Sequence, residues 1–291
     1  MIAYLNGEYL PPEKACISPL DRGFLFGDGV YEVIPSYGGK LFLLDAHLER
    51  LGRSLAAIRL PDPMPDGGWA EMLERLLQEN PGADRSVYLQ VTRGAAPRDH
   101  AFPGQATATV FAMVSPIAPQ GPAVAGAGVS AITAPDQRWG RCDIKSVALL
   151  ANVLARQQAA DCAAVEAILL RGGLLTEGAA SNVFVVTDGV VRTTPLGPAI
   201  LPGITRAFLL GVLRAGGRDC REEPVPEVEL RAADEIWLTS STKEVLPVTR
   251  LDGQPVGDGR PGPVWREALD RYRQARYRAM NGSAGREVTH D

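Results

Sequence analysis

The amino-acid sequence predicts an α+β fold in two domains. Apolar residues recur with period two in some segments and with helical spacing in others, so strands and helices are mixed along the chain. At 291 residues the chain is long enough for two ordinary domains. One stretch, 116–128 (PIAPQGPAVAGAG), shifts abruptly to Pro, Ala and Gly, the composition of a linker. The boundaries that follow are a small N-terminal α/β domain over 1–115, a larger C-terminal domain over 129–280, and a polar tail over 281–291.

Asn6-Gly7 between two short apolar runs signals a hairpin. Residues 21–33 read as a glycine-punctuated turn running into a strand. From Asp45 the period changes: Leu48, Leu51, Leu55 and Ile58 line one face of a helix, with Asp45 as its N-cap. Residues 69–79 read as a second helix, and 86–93 and 107–114 as strands. Beyond the linker, 129–133 reads as a strand, 147–160 as a helix, and 165–170 and 182–186 as strands. A helix over 204–214, a strand over 235–239 and a terminal helix over 264–280 complete the pattern.

Composition excludes several classes of function. With 45% apolar and 22% charged residues the chain has the make-up of a globular protein, and a net charge of -4 argues against nucleic-acid binding. No apolar run is long enough to span a bilayer, and the N-terminus lacks the pattern of an export signal, so a cytoplasmic location is expected. Cys16, Cys142, Cys162 and Cys220 lie far apart, and one of the three histidines, His290, falls in the polar tail. Neither a disulfide framework nor a metal centre is expected.

Of the 30 basic residues only Lys14, Lys40, Lys145 and Lys243 are lysines. Arginine stays protonated and cannot act as an amine nucleophile, which singles out each lysine. Lys145 precedes an apolar run (RCDIKSVALL), where desolvation would favour the neutral amine; equally, its stem could line the core with the head in water. Glu177 precedes a small-residue loop, Gly178-Ala179-Ala180-Ser181, that lets a flat ligand approach the backbone. An ordinary turn would look the same.

Pro202-Gly203 before a helix leaves the N–H groups of Ile204 and Thr205 free for an anion, and Thr239-Ser240-Ser241-Thr242 offers hydroxyls. Arg50 shares a polar stripe with His47 and Ser54, from which it could reach inward to a phosphate or pair with a surface acid. Arg98 and His100, on a loop after a strand, suit a carboxylate trap, as they would a solvated loop. Taken together, these residues supply each part of a pyridoxal-phosphate site.

With those residues in view, the chain resembles the fold-type IV pyridoxal-phosphate enzymes. The resemblance runs from about Leu5 to about Ala279. It is carried by Asp21-Arg22-Gly23 with Phe26-Gly27-Asp28-Gly29-Val30-Tyr31-Glu32, by His47-Leu48-Glu49-Arg50-Leu51, and by Asp143-Ile144-Lys145-Ser146. Thr176-Glu177-Gly178 with Ser181-Asn182-Val183-Phe184, and Pro202-Gly203-Ile204-Thr205-Arg206, complete it.

The resemblance implies pyridoxal 5′-phosphate between the two domains, with the larger C-terminal domain as its binding domain. It implies an imine on Lys145, Glu177 at the ring nitrogen, and Arg50, Ile204, Thr205, Ser240 and Ser241 at the phosphate. Within the family it is nearest to the D-amino-acid transaminases, in which Tyr31, Arg98 and His100 would bind the substrate carboxylate. That implies a ping-pong exchange between D-amino acids and 2-oxo acids, in a homodimer. L-branched-chain aminotransferases and aminodeoxychorismate lyases share the fold, and a non-catalytic cofactor-binding protein is the alternative outside enzymes. The chain departs from the D-specific pattern at Ala179 and Ala180, where those enzymes carry serines.

Overall fold

A computed structural model describes residues 1–64, 67–118 and 121–282. His290 and the tail from 283 onward lie outside them. The chain opens with the expected hairpin, β1 (Ala3–Leu5) and β2 (Glu8–Leu10), turned by Asn6 and Gly7, both at positive φ. A short helix, α1 (Arg22–Phe26), stands where only a turn was expected; the Asp21 carboxylate caps it by accepting from Gly23 N. Then follow β3 (Gly29–Tyr37), β4 (Lys40–Leu41), α2 (Leu44–Ala57), α3 (Gly68–Gln78), β5 (Arg85–Thr92) and β6 (Thr109–Pro116). The strands pair throughout in antiparallel fashion, in the order β2-β1-β6-β5-β3-β4.

Helices α2 and α3 cover one face of this sheet. Leu51, Leu55, Trp69, Met72, Leu73 and Leu76 pack there on Val30, Ile34, Val87, Leu89 and Val91. Each fully buried leucine of this kind contributes about 1.5–3 kcal/mol relative to exposure. Asp45 is not the N-cap of α2. That position belongs to Leu43, held at φ 55, and Asp45 lies in the first turn, where a negative charge still favours the unpaired N–H groups.

The predicted linker contains a short helix, α4 (Pro122–Ala127), and leads into β7 (Val129–Pro135). Next come α5 (Leu150–Asp161), β8 (Glu166–Arg171), β9 (Leu174–Gly178), β10 (Asn182–Thr187), β11 (Val190–Thr193), α6 (Ile204–Ala215) and β12 (Cys220–Glu222). The chain continues with α7 (Glu227–Arg231), β13 (Glu235–Ser240), β14 (Glu244–Leu251), β15 (Gln254–Pro255) and α8 (Pro263–Asn281). Asn281 closes this last helix instead of opening the tail. The second sheet is mixed, ordered β12-β11-β10-β13-β14-β7-β8-β9 with β15 on β14.

Helices α6 and α8 cover one face of the second sheet through Leu209, Leu213, Trp265 and Tyr272 against Phe184 and Trp237. Phe42, from the first half of the chain, inserts into that cluster. Strands β9, β11 and β14 escaped the sequence reading although Gly172-Gly173 and Asp188-Gly189 mark two of their turns.

Candidate active site

The helix expected over 147–160 begins only at Leu150, and Lys145 lies before it in extended chain. Residues 145–147 add to the free edge of β3. Tyr31 N donates to Lys145 O at 2.9 Å, Val147 N donates to Gly29 O at 3.0 Å, and Val30 bridges Ser146. Strand pairing therefore satisfies the backbone that a helix would otherwise have used. Lys145 N also donates to Ser54 Oγ at 3.3 Å, and its Nζ sits 4.2 Å from the centre of the Tyr31 ring.

Glu177, at the end of β9, is buried. Asn182 Nδ2 donates to its Oε2 at 3.0 Å, and Leu201 N donates to both oxygens at 3.0 and 3.1 Å. Arg138 Nη1 donates to Oε1. Arg138 is itself gripped by Asp136, to which its Nε and Nη2 donate at 3.0 and 2.9 Å. Burial pushes the Glu177 carboxyl up to about 7, against the lowering pull of Arg138, the Leu201 N–H and Lys145.

Leu201 leads through Pro202 and Gly203 to α6. Its carbonyl accepts from Asn182 Nδ2 at 2.9 Å, and the Pro202 carbonyl accepts from Arg50 Nη1 at 3.0 Å. A Cβ on Gly203 would lie 1.9 Å from Asn182 Oδ1, so only glycine leaves room for this asparagine. Helix α6 starts without a side-chain cap, and the N–H groups of Ile204 and Thr205 find no partner among the described residues. Helix α8 shows the alternative: its first N–H groups, Val264 and Trp265, donate to the Glu235 carboxylate at 2.9 and 2.7 Å. Ser240 and Ser241 are half-buried at the end of β13, beside Thr239, whose buried hydroxyl has no partner among the described residues.

Arg50 is fully buried and holds a carboxylate that the sequence reading did not assign. Its Nε and Nη2 donate to the two oxygens of Glu32, both at 2.7 Å, and His47 Nδ1 lies 2.8 Å from the same group. Burial would raise the Glu32 pKa, but Arg50 and His47 overcome it and hold the carboxyl at about 2. His47 is lowered by burial, against the pull of Glu32.

The structure thus joins Arg50, Glu177 and the start of α6 through Pro202 and Leu201, and sets Lys145 on Tyr31, the neighbour in β3 of the Glu32 that holds Arg50. Arg98 and His100 stand apart. They lie exposed on the loop between β5 and β6, each 5.3 Å from the Phe26 ring, and neither bonds to Tyr31 or Lys145 among the described residues. A cavity of about 630 Å³ lined by Asn6, Cys16, Asp21 and Gln105 includes none of the predicted site residues. Besides Glu32, the sequence reading missed Arg138 and Asp136. A signal existed for Glu32, an acid at an inward position of β3 between Val30 and Ile34.

The fold and this site define an aminotransferase of class IV. The family model for amino-transferase class IV matches residues 29–251, and the chain belongs to that family. D-alanine aminotransferase of Bacillus licheniformis is 45% identical over 265 residues, covering 91% of this chain and 93% of that protein. The branched-chain amino acid aminotransferase of Escherichia coli superposes with a TM-score of 0.86 at 26% identity, over 92% of each chain. A hypothetical aminotransferase of Mycobacterium tuberculosis, solved in its PLP-bound form, gives 0.82 at 28% identity, over 94% of this chain and 98% of that one.

Proposed function

We propose that the protein is a pyridoxal 5′-phosphate-dependent transaminase acting on D-amino acids, with D-alanine as donor and a 2-oxo acid such as 2-oxoglutarate as acceptor. The observation that carries the chemistry is the stretch Leu201–Ile204, which meets a buried acid at one end and opens an uncapped helix at the other. With the unpartnered Thr239 hydroxyl and the Lys145 amine nearby in the fold, these groups fit the cofactor's ring nitrogen, phosphate and aldehyde. The D preference is supported by the 45% identity to a D-alanine aminotransferase and by Arg98-x-His100.

Pyridoxal 5′-phosphate supplies an electron-accepting ring conjugated to the substrate Cα. Ile204 and Thr205 would hold its phosphate through their N–H groups, helped by Ser240, Ser241 and Arg50, and Lys145 would supply the amine for its aldehyde. Glu177 keeps the proton on the ring nitrogen by placing a carboxylate against it. Freed from the cofactor, Lys145 Nζ would act as the general base that takes the substrate α-proton and as the acid that gives a proton back. Tyr31, Arg98 and His100 hold the substrate carboxylate and so decide which hand presents its α-proton.

Arg98 and His100 lie exposed on their loop against Phe26 and bond to neither Tyr31 nor Lys145 of their own chain among the described residues. A homodimer in which a second copy's loop faces Tyr31 reconciles their exposure with that role. A cytoplasmic location belongs to the same reading, as does the division into 1–115 and 129–280 about 116–128. No helix of the described residues is long and apolar enough to cross a membrane.

Cofactor-loaded protein is mixed with D-alanine or L-leucine, without an oxo acid, and the absorption spectrum followed. D-alanine alone should replace the long-wavelength band with the shorter-wavelength amine form. Conversion by L-leucine alone would overturn the carboxylate assignment and favour a branched-chain enzyme. No conversion by either would overturn transamination.

A further inference from the structure

The loop between Thr92 and Thr109 spans sixteen residues without regular structure, a length that usually marks either function or disorder. This one is ordered by a buried arginine from α1. Arg22 is 3% exposed and uses most of its guanidinium on the loop backbone. Nη1 donates to Asp99 O at 2.5 Å and to Ala101 O at 3.3 Å, and Nη2 donates to His100 O at 3.3 Å. Its Nε donates to Asp28 Oδ2 at 2.8 Å.

Asp28 is shared with Arg93, at 2.8 and 3.1 Å, and Arg93 in turn donates to Ile58 O at 2.7 Å and to Arg59 O at 3.3 Å. Burial would raise the Asp28 carboxyl, but the two guanidiniums hold it below its usual range. The neck of the loop is narrow: a Cβ on Gly94, at φ +87, would lie 1.9 Å from Thr107 O. On the outer side, the Phe26 ring lies 4.8 Å from the Arg22 guanidinium and 5.3 Å from both Arg98 and His100.

We propose that Arg22 is the positioning residue for the substrate-carboxylate clamp. By collecting three successive carbonyls on one planar group, it sets the direction in which Arg98 and His100 leave the backbone, and Phe26 seats the two side chains. Lysine cannot replace it, because a single ammonium lacks the fork that meets Asp28 and the carbonyls together. The inference rests on the reading that Arg98 and His100 bind the substrate carboxylate.

The test compares R22K, F26L, R98A, H100A and the double variant R22K/R98A as cofactor-loaded proteins in the D-alanine half-reaction. R22K should raise the half-saturating D-alanine concentration about tenfold, while the limiting rate and the cofactor absorption band stay close to the parent's. R22K/R98A should saturate no worse than R98A alone, since both changes disable one device. A residue that merely stabilised the fold would lower Tm without moving saturation. Should R22K not fold, a rise of a few-fold in F26L carries the test.

If R98A and H100A weaken saturation while R22K and F26L do not, the inference is overturned and the clamp reading stands. Full additivity of R22K with R98A overturns it as well. If R98A and H100A themselves saturate like the parent, the clamp reading fails and takes this inference with it.

Discussion

Arg138 and Glu177 form a buried ion pair in which the cation is the better anchored partner. Asp136 grips the guanidinium through two nitrogens, and Arg171 and Thr176 each reach Asp136 Oδ2 at 3.0 Å. Glu177 depends on that cation for its ionisation, because burial alone carries its carboxyl upward.

R138Q should therefore raise the Glu177 pKa above about 7 and leave the acid neutral near pH 7. We expect kcat at pH 7 to fall by about tenfold or more, with the acid limb of the pH profile moving upward by about a unit. An unchanged kcat–pH profile would sink this assignment.

The same carboxyl makes the cofactor-free protein sensitive to pH. A folded-state pKa near 7 against 4.5 for the free acid means that the folded chain binds the proton more tightly. The associated stability is fully present below about 4.5 and is lost as pH rises through about 7, at most about 3 kcal/mol in all. Urea unfolding of apoprotein should show wild type losing stability relative to E177Q across that window. Parallel curves would contradict it.

Glu32 behaves in the opposite sense. Its pKa is lowered from 4.5 to about 2, so its contribution is present above about 4.5 and is lost as pH falls through about 2. E32Q leaves the buried Arg50 without its counter-charge and should cost about 3–5 kcal/mol at neutral pH. Cofactor affinity should fall too, because Glu32 sets the direction of the nitrogen that reaches Pro202 O. Denaturant midpoints and a cofactor titration check both effects; wild-type values in E32Q would exclude the role.

A complementation experiment tests where the clamp comes from. Chains carrying K145A and chains carrying R98A are unfolded together, refolded with cofactor and assayed at a D-alanine concentration well below the one that R98A needs. If the loop of one copy serves the site of another, mixed dimers hold one intact site and about a quarter of wild-type activity returns. A clamp supplied within each chain returns none.

Much of the scaffold was legible in the sequence because it follows from period. The Leu48/Leu51/Leu55 stripe and the strand over 86–93 are settled by which face is apolar. Lys145 was legible as a residue but not in its conformation. The strand it pairs with lies more than a hundred residues earlier, and a local apolar run resembles a helix start when the distant edge is unseen. Arg138 and Asp136 were illegible for another reason: among 26 arginines, nothing local separates one that grips a buried carboxylate from one that is solvated. Leu43 as the start of α2 departs from every capping preference and could not have been read.

The four residues from Leu201 to Ile204 act as a ruler. Their first N–H meets the acid and their last opens the uncapped helix, while Pro202 contributes a locked φ and Gly203 a position that tolerates no side chain. Inserting one residue would lengthen the span by about 3.5 Å and pull one end off its target whenever the other was kept. Under the proposed function, ligand size is thus gauged by the backbone itself and not by any side chain of this stretch.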